Sequence, residues 1–186
     1  MKFGAKKIIL VVVIIVVLVV VVFSAWMVSA YNGLVSSEED ALAQWQQVEN
    51  QYQRKIDLIP QLVNVTEQYT EFEKDTLTEI TALRSQWLNA SGIDQRIELA
   101  QEIDQQLVDV RLTYENYPYL QSIGLVAGLM DELSGTENRI TVERLRYNED
   151  VRDHNKKVRS FPNSIVANMF GFEKMPYYDP IPGGAT

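Results

Sequence analysis

Residues 8–28 read IILVVVIIVVLVVVVFSAWMV, 21 positions without a charge. At about 1.5 Å of rise per residue, such a run matches the roughly 30 Å hydrocarbon core of a bilayer. Valine and isoleucine are middling helix formers in water. In lipid an unpaired backbone amide is so costly that a helix is the only open choice for a single span. Trp26 and Tyr31 stand at the end of the run, where interfacial aromatics belong. Lys2, Lys6 and Lys7 precede it without an acid, and Glu38, Glu39 and Asp40 follow it. This asymmetry predicts a cytoplasmic N-terminus over 1–7, a transmembrane helix over 8–28, and everything after it on the outer side of the cell membrane. A cleaved signal peptide would use the small-residue pattern Val28-Ser29-Ala30, but its apolar stretch would span only about 7–15 residues. The length favours a retained, single-pass anchor.

Outward from the anchor, the chain of 186 residues leaves enough sequence for one domain with its own core. It contains no cysteine and a single histidine, His154. Disulfides, thiol nucleophiles and cysteine zinc sites are therefore excluded. A metal site in a helical bundle would want a second histidine or a Glu-x-x-His pair on each of two helices, which the sequence lacks. No catalytic residue, no metal ligand set and no cofactor are expected, and His154 reads as a satisfied, partly buried side chain. Three of the 17 basic residues and none of the 25 acidic ones precede the domain, which leaves it at a net charge of −11. A surface this acidic predicts neither a nucleic-acid partner nor binding to anionic lipid, since phosphate attraction needs clustered positive charge.

The rest of the sequence has helical periodicity. Trp45, Val48, Tyr52, Ile56, Ile59, Leu62, Thr66 and Tyr69 recur at three and four residues, drawing one apolar stripe. Ser36 or Ser37 could cap this helix. Only Gly33 stands between the anchor and the stripe, so the anchor is expected to run almost directly into the first helix of the domain. Pro60 should kink or divide that helix. A second stripe is Phe72, Leu77, Ile80, Leu83 and Trp87, ended by Asn89-Ala90-Ser91-Gly92. A third runs through Ile97, Ala100, Ile103, Leu107, Val110 and Tyr114, stopped by Asn116-Tyr117-Pro118. The fourth and longest covers 122–160 with Leu129, Leu133, Ile140, Tyr147, Val151, His154, Val158 and Phe161 inward. A short helical turn follows over 163–170, closed by Gly171. The tail over 173–186 holds three prolines and two glycines and should be disordered or extended. No alternating strand pattern occurs. The predicted architecture is all-α: a transmembrane helix followed by an antiparallel four-helix bundle over 29–172. Seven basic residues between Arg139 and Arg159 face only four acids there, so a basic last helix would be matched by acidic partners within the bundle.

Four ordered motifs then resemble the LemA family of bacterial and archaeal membrane proteins. They are RKIDLIPQLV at 54–63, ELSGTENRI at 132–140, RYN at 146–148 with Val151 and Asn155, and FPNSIVA at 161–167 followed by FGF at 170–172. The likeness extends from YNGLV at 31–35 to Tyr177. Lys55 and Gln61 depart from it, standing where arginine and asparagine are commoner. The resemblance implies a membrane-anchored antiparallel helical bundle outside the cytoplasmic membrane, with no established catalytic activity. A related member in magnetotactic bacteria is associated with building internal membrane compartments, which points to membrane organisation.

Asp57, Asn138, Arg139, Asn148 and Asn155 are the polar residues to follow. As a structural network they would tie Pro60's freed backbone groups and the helix ends together. Asp57 and Glu137 would be the carboxylates of an enzyme, but neither has a histidine at a paired spacing. The expected function is a non-enzymatic scaffold or interaction module. Its partners are the lipid bilayer, proteins still to be identified and, by extension, further copies in a homo-oligomer, with no small-molecule substrate. The alternative is an accessory or regulatory subunit of a membrane protease or envelope-stress system, with Tyr177-Tyr178-Asp179-Pro180 as an extended docking segment.

Overall fold

A computed structural model describes residues 4–69, 74–116 and 123–178. The regular structure among them is entirely helical: α1 (Ala5–Tyr69), α2 (Lys74–Asn89), α3 (Ile93–Asn116), α4 (Gly124–Arg159) and α5 (Asn163–Phe170). The chain gathers into two compact units, one of residues 1–41 with 150–175, the other of 42–149 with 176–186.

In the first unit, every residue of α1 from Ile8 to Phe23 is half exposed or more. An apolar helix bare on all sides suits a lipid surround. The helix is unbroken from residue 29 to 40, so the cap expected at Ser36 or Ser37 does not form. Ser37 Oγ instead donates to the Leu34 carbonyl at 3.0 Å, the back-bonding open to a serine inside a helix. Val166 and Ala167 of α5 pack on Ala30 and Leu34 of α1, with Trp26, Met27, Val158 and Phe172 around them. Gly171 closes α5 at φ +78°, a left-handed backbone that favours glycine. Val151 and His154 of α4 are buried as the stripe predicts, whereas Phe161 is 82% exposed. The stripe overran its helix: α4 ends at Arg159, and Phe161 lies in the turn before α5.

In the second unit, the α1 stripe faces inward at Trp45, Val48, Tyr52, Ile56, Ile59 and Leu62. Thr66, Tyr69, Phe72 and Leu77 lie outside the residues whose side chains are described. Pro60 does not divide α1, which continues through it. The proline forfeits one backbone bond, and the buried Leu58, Ile59 and Leu62 on either side hold the chain in register. Helices α2 and α3 pack on one another across a link that turns at Gly92, φ +97°. Ile80, Leu83 and Trp87 of α2, Ile97, Ala100, Ile103, Leu107 and Val110 of α3, and Leu129, Leu133, Ile140 and Tyr147 of α4 complete the core. Tyr114 is only half-buried.

Of the two states expected for the tail, its described part takes the extended one. Residues 173–178 carry no helix, yet Tyr178 is buried at 1% exposure. The composition that argued for disorder says nothing of partners, and here side chains of α4 supply hydrogen bonds to the tail backbone. Residues 179–186 lie outside the described residues.

Candidate functional site

An enclosed polar site lies in the second unit. Tyr52 and Lys55, three residues apart, share one face of α1. Asp104 and Arg111 lie seven apart on α3, as do Glu137 and Arg144 on α4, two turns that bring each acid and base to the same side. Lys55 Nζ donates to Asp104 Oδ1 at 2.8 Å and lies 3.3 Å from Glu137 Oε1. Arg144 reaches Asp104 Oδ2 at 3.3 Å. Arg111 donates to Glu137 Oε2 at 3.1 Å and to Ser134 Oγ at 2.7 Å. Tyr52 OH donates to Asp104 Oδ2 at 2.8 Å, and the Tyr178 hydroxyl donates in turn to Tyr52 at 2.7 Å. The Arg144 guanidinium stacks over the Tyr178 ring at 3.9 Å, a cation–π contact.

The Lys55 side chain is 3% exposed, and an ammonium so enclosed needs carboxylate partners. It has two. Burial first, then the nearby Asp104 charge, drives the Tyr52 phenol far above its ordinary range. The same causes in the same order push Tyr178 up to about 12. Both phenols therefore stay protonated donors at physiological pH. Three cations face two carboxylates around a cleft of about 230 Å³; both Asp104 oxygens and Glu137 Oε2 accept hydrogen bonds, and Glu137 Oε1 lies within ion-pair distance of Lys55. A metal ion would have to displace Lys55 from both acids. Among the described residues no group of three or more His, Cys, Asp or Glu side chains could hold one. The arrangement is suited to locking α1, α3 and α4 in register.

A second set of contacts holds the tail, and its sequence repeats: a ring followed by asparagine, at Tyr147-Asn148 and again at His154-Asn155. In the second unit, Tyr147 OH donates to the Pro176 carbonyl at 2.8 Å. Asn148 Nδ2 donates to the Tyr178 carbonyl, and Tyr178 N–H donates back to Asn148 Oδ1, both at 2.8 Å. In the first unit, His154 Nε2 lies 2.9 Å from the Glu173 carbonyl. A carbonyl only accepts, which assigns a proton to Nε2. Nδ1 faces the Ser37 hydroxyl at 3.2 Å. Asn155 Nδ2 donates to the Met175 carbonyl at 2.9 Å and accepts from Met175 N–H at 2.8 Å. Each asparagine thus treats one tail residue as a neighbouring strand would, matching its N–H and C=O together.

Of the five polar residues followed from the sequence, the structure gives Asn148 and Asn155 the tail contacts and leaves Asp57, Asn138 and Arg139 exposed. Asp57 accepts from Gln53 at 3.0 Å, four residues back on its own helix, and does not serve Pro60. Tyr178 is committed to the interior. Lys55, Asp104, Arg111 and Arg144 were missed, although the acid-then-base step of seven on both α3 and α4 was visible in the sequence.

An all-helical fold with one N-terminal helix long and apolar enough to cross a membrane fits a single-pass membrane protein. Beyond that class the sequence match is specific. The chain belongs to the LemA family, whose profile matches residues 44–183. It is similar to magnetosome protein MamQ 2 of Paramagnetospirillum magneticum, 26% identical over 191 residues that span 88% of this chain and 70% of the relative. MamQ of Magnetospirillum gryphiswaldense is 24% identical over the same spans. Protein LemA of Metamycoplasma hominis is 31% identical over 101 residues, 53% of this chain and 46% of that one.

Proposed function

We propose that the chain is a non-enzymatic, membrane-anchored scaffold of the LemA family that presents an antiparallel four-helix bundle outside the cytoplasmic membrane and serves membrane or envelope organisation. The observation that carries this reading is the state of the charges gathered around the buried Lys55. Each carboxylate of the Lys55 network is held by cations at 2.8 to 3.3 Å, so the site is spent on internal register and offers no free base or nucleophile. The antiparallel arrangement is supported by the pairing of Gln44 with Glu143 and of Arg54 with Glu132, in which numbers rise along α1 as they fall along α4. Membrane organisation is supported by the likeness to magnetosome proteins. The N-terminal lysines support a cytoplasmic residue 1.

Cross-linking of the full chain in native membranes, followed by affinity capture after gentle solubilisation, tests the scaffold. Homo-oligomers or defined protein partners are expected. Monomer alone, with nothing captured, removes it. For the regulatory-subunit alternative, Tyr178 of the docking segment is buried and bonded to its own chain, while Tyr177 is exposed.

A further inference from the structure

Helix α5 is built the wrong way round for water. Its two buried residues, Val166 and Ala167, are small, while its large apolar side chains point outward. Ile165 is 53% exposed, Met169 54% and Phe170 52%, and Phe161 just before the helix is 82% exposed. Ile165 and Met169, four residues apart, share one face of α5, and Phe161 stands exposed in the turn just before it. An outward apolar face of this kind marks an interaction surface.

The docking of α5 says what that surface meets. Val166 and Ala167 rest on Ala30 and Leu34 of α1, flanked by Trp26 and Met27. Trp26 and Met27 belong to the uncharged run that ends at Val28. Ala30 and Leu34 are two and six residues beyond that end, about 3–9 Å along the helix axis. The headgroup zone on each side of the hydrocarbon core is about 5–8 Å deep, so α5 is fastened to α1 at the level of that zone. The Tyr31 ring sits edge-on to Phe170 at 4.8 Å and to Phe172 at 5.6 Å, giving an aromatic cluster of the sort that settles at the boundary. Between His154 and Phe172 the only charged residues are Lys156, Lys157 and Arg159, a sign that suits anionic headgroups.

We propose that α5 and Phe161 form a second membrane contact, an interfacial helix. The Phe161, Ile165, Met169 and Phe170 face lies in the boundary between headgroups and acyl chains of the leaflet from which α1 emerges. Its occupant is lipid, and the contact fixes the first unit on the bilayer surface as well as through the span. The proposal rests on the 8–28 run being embedded in that bilayer.

The chain has no cysteine, so single labels can be placed on the full protein in vesicles. A fluorophore on I165C or M169C should be quenched by nitroxides carried near the headgroup end of the acyl chains and shielded several-fold from aqueous iodide. V17C, inside the span, should respond to nitroxides near the chain ends. V142C, 45% exposed in the second unit, should respond to iodide alone. Adding anionic phosphatidylglycerol to phosphatidylcholine vesicles should deepen the shielding at residue 165. If residues 165 and 169 behave like 142 while 17 stays lipid-quenched, the interfacial helix is wrong and the span stands. If 17 is not quenched by lipid nitroxides, the span and the proposal fail together. Shielding from both quenchers, with spin coupling between labels on separate copies, would assign the face to a second protein molecule and overturn the proposal.

Discussion

The two units differ in the charge that accompanies their apolar contacts. Ala30, Leu34, Val166 and Ala167 meet in the first without a charge among them. In the second, Lys55, Asp104, Glu137, Arg111 and Arg144 run a chain of ion pairs beside the apolar core. Apolar contact is non-directional and tolerates small shifts. A buried ion pair tolerates none, because a displaced partner leaves an uncompensated charge. The difference assigns unequal roles: a contact that can adapt in the unit bearing the span, and a fixed register of helices in the other.

The largest effect should come from breaking the charged side of that contrast. Asp104→Ala strips Lys55 of its nearer partner, Arg144 of its carboxylate and the Tyr52 hydroxyl of its charged acceptor. Lys55 is 3% exposed but Asp104 is 28%, so the loss should come to at most the roughly 3–5 kcal/mol typical of a fully buried pair. Denaturant unfolding of the full chain in detergent should report a drop within that limit for the second unit. An unchanged midpoint would mean that the network is decoration and that the apolar core alone sets the register.

On the apolar side, Leu34→Ala removes a fully buried side chain from a cluster small enough to collapse around the gap. A cost near the low end of the Leu→Ala range, about 2–3 kcal/mol, is expected. Hydrogen exchange should locate it: amides of α5 lose protection while those of α2 and α3 do not. Uniform loss across the chain would show that the units do not respond separately.

These assignments also mark what the sequence discloses. The inward positions of α1, α2 and α3 were legible because apolar residues at three and four spacing can bury only one face. Helix continuity past Ser37 was only half legible, since a serine before acidic residues also reads as a cap. Lys55 was not legible as buried, because a lysine beside a stripe normally reaches solvent. The places of Phe161 and Tyr178 were not legible, for opposite reasons. Phe161 continues the α4 period into a turn, where period no longer fixes direction. Tyr178 sits in a proline-rich tail, and its partners are asparagine amides that leave no periodic trace. Asp57 drew attention by its closeness to Pro60, but adjacency in sequence did not become a contact.

The tail contacts fall between the two kinds of interior and give smaller effects. Asn155→Ala deletes both bonds to Met175, and Asn148→Ala both bonds to Tyr178. Each should loosen its own stretch by about 1–3 kcal/mol. Trypsin cleavage after Lys174 should accelerate in the first variant, and chymotrypsin cleavage after Tyr178 in the second. Alkali probes the same place. Tyr178 rises from an ordinary 10.0 to about 12 in the folded protein, so folding favours its protonated form. Its stabilising share is intact below pH 10 and is lost as pH climbs through 12. Ultraviolet titration of the nine tyrosines should show Tyr178 among the last to ionise. Asn148→Ala should move it back toward the bulk, and no movement would sever the asparagine from the tyrosine's burial.

The smallest effect is the sharpest control on the whole contrast. Arg54 and Glu132 join α1 to α4 at 2.9 Å, as Lys55 and Glu137 join the same two helices at 3.3 Å. The partners, the helices and the charge types correspond, and the Arg54 contact is the shorter. Burial differs: the Arg54 and Glu132 side chains are 52% and 42% exposed, whereas Lys55 is 3% and Glu137 31% exposed. Water screens the exposed pair and solvates either member when the other is removed, so Arg54→Ala should cost no more than about 0–1 kcal/mol. Denaturation in low and high salt would separate the cases, with the small Arg54 effect vanishing in salt and the Asp104 effect persisting. If Arg54→Ala proved as damaging as Asp104→Ala, distance and helix pairing would govern these ion pairs in place of desolvation. The second unit's interior would then differ from the first in composition only, and not in how it holds the fold.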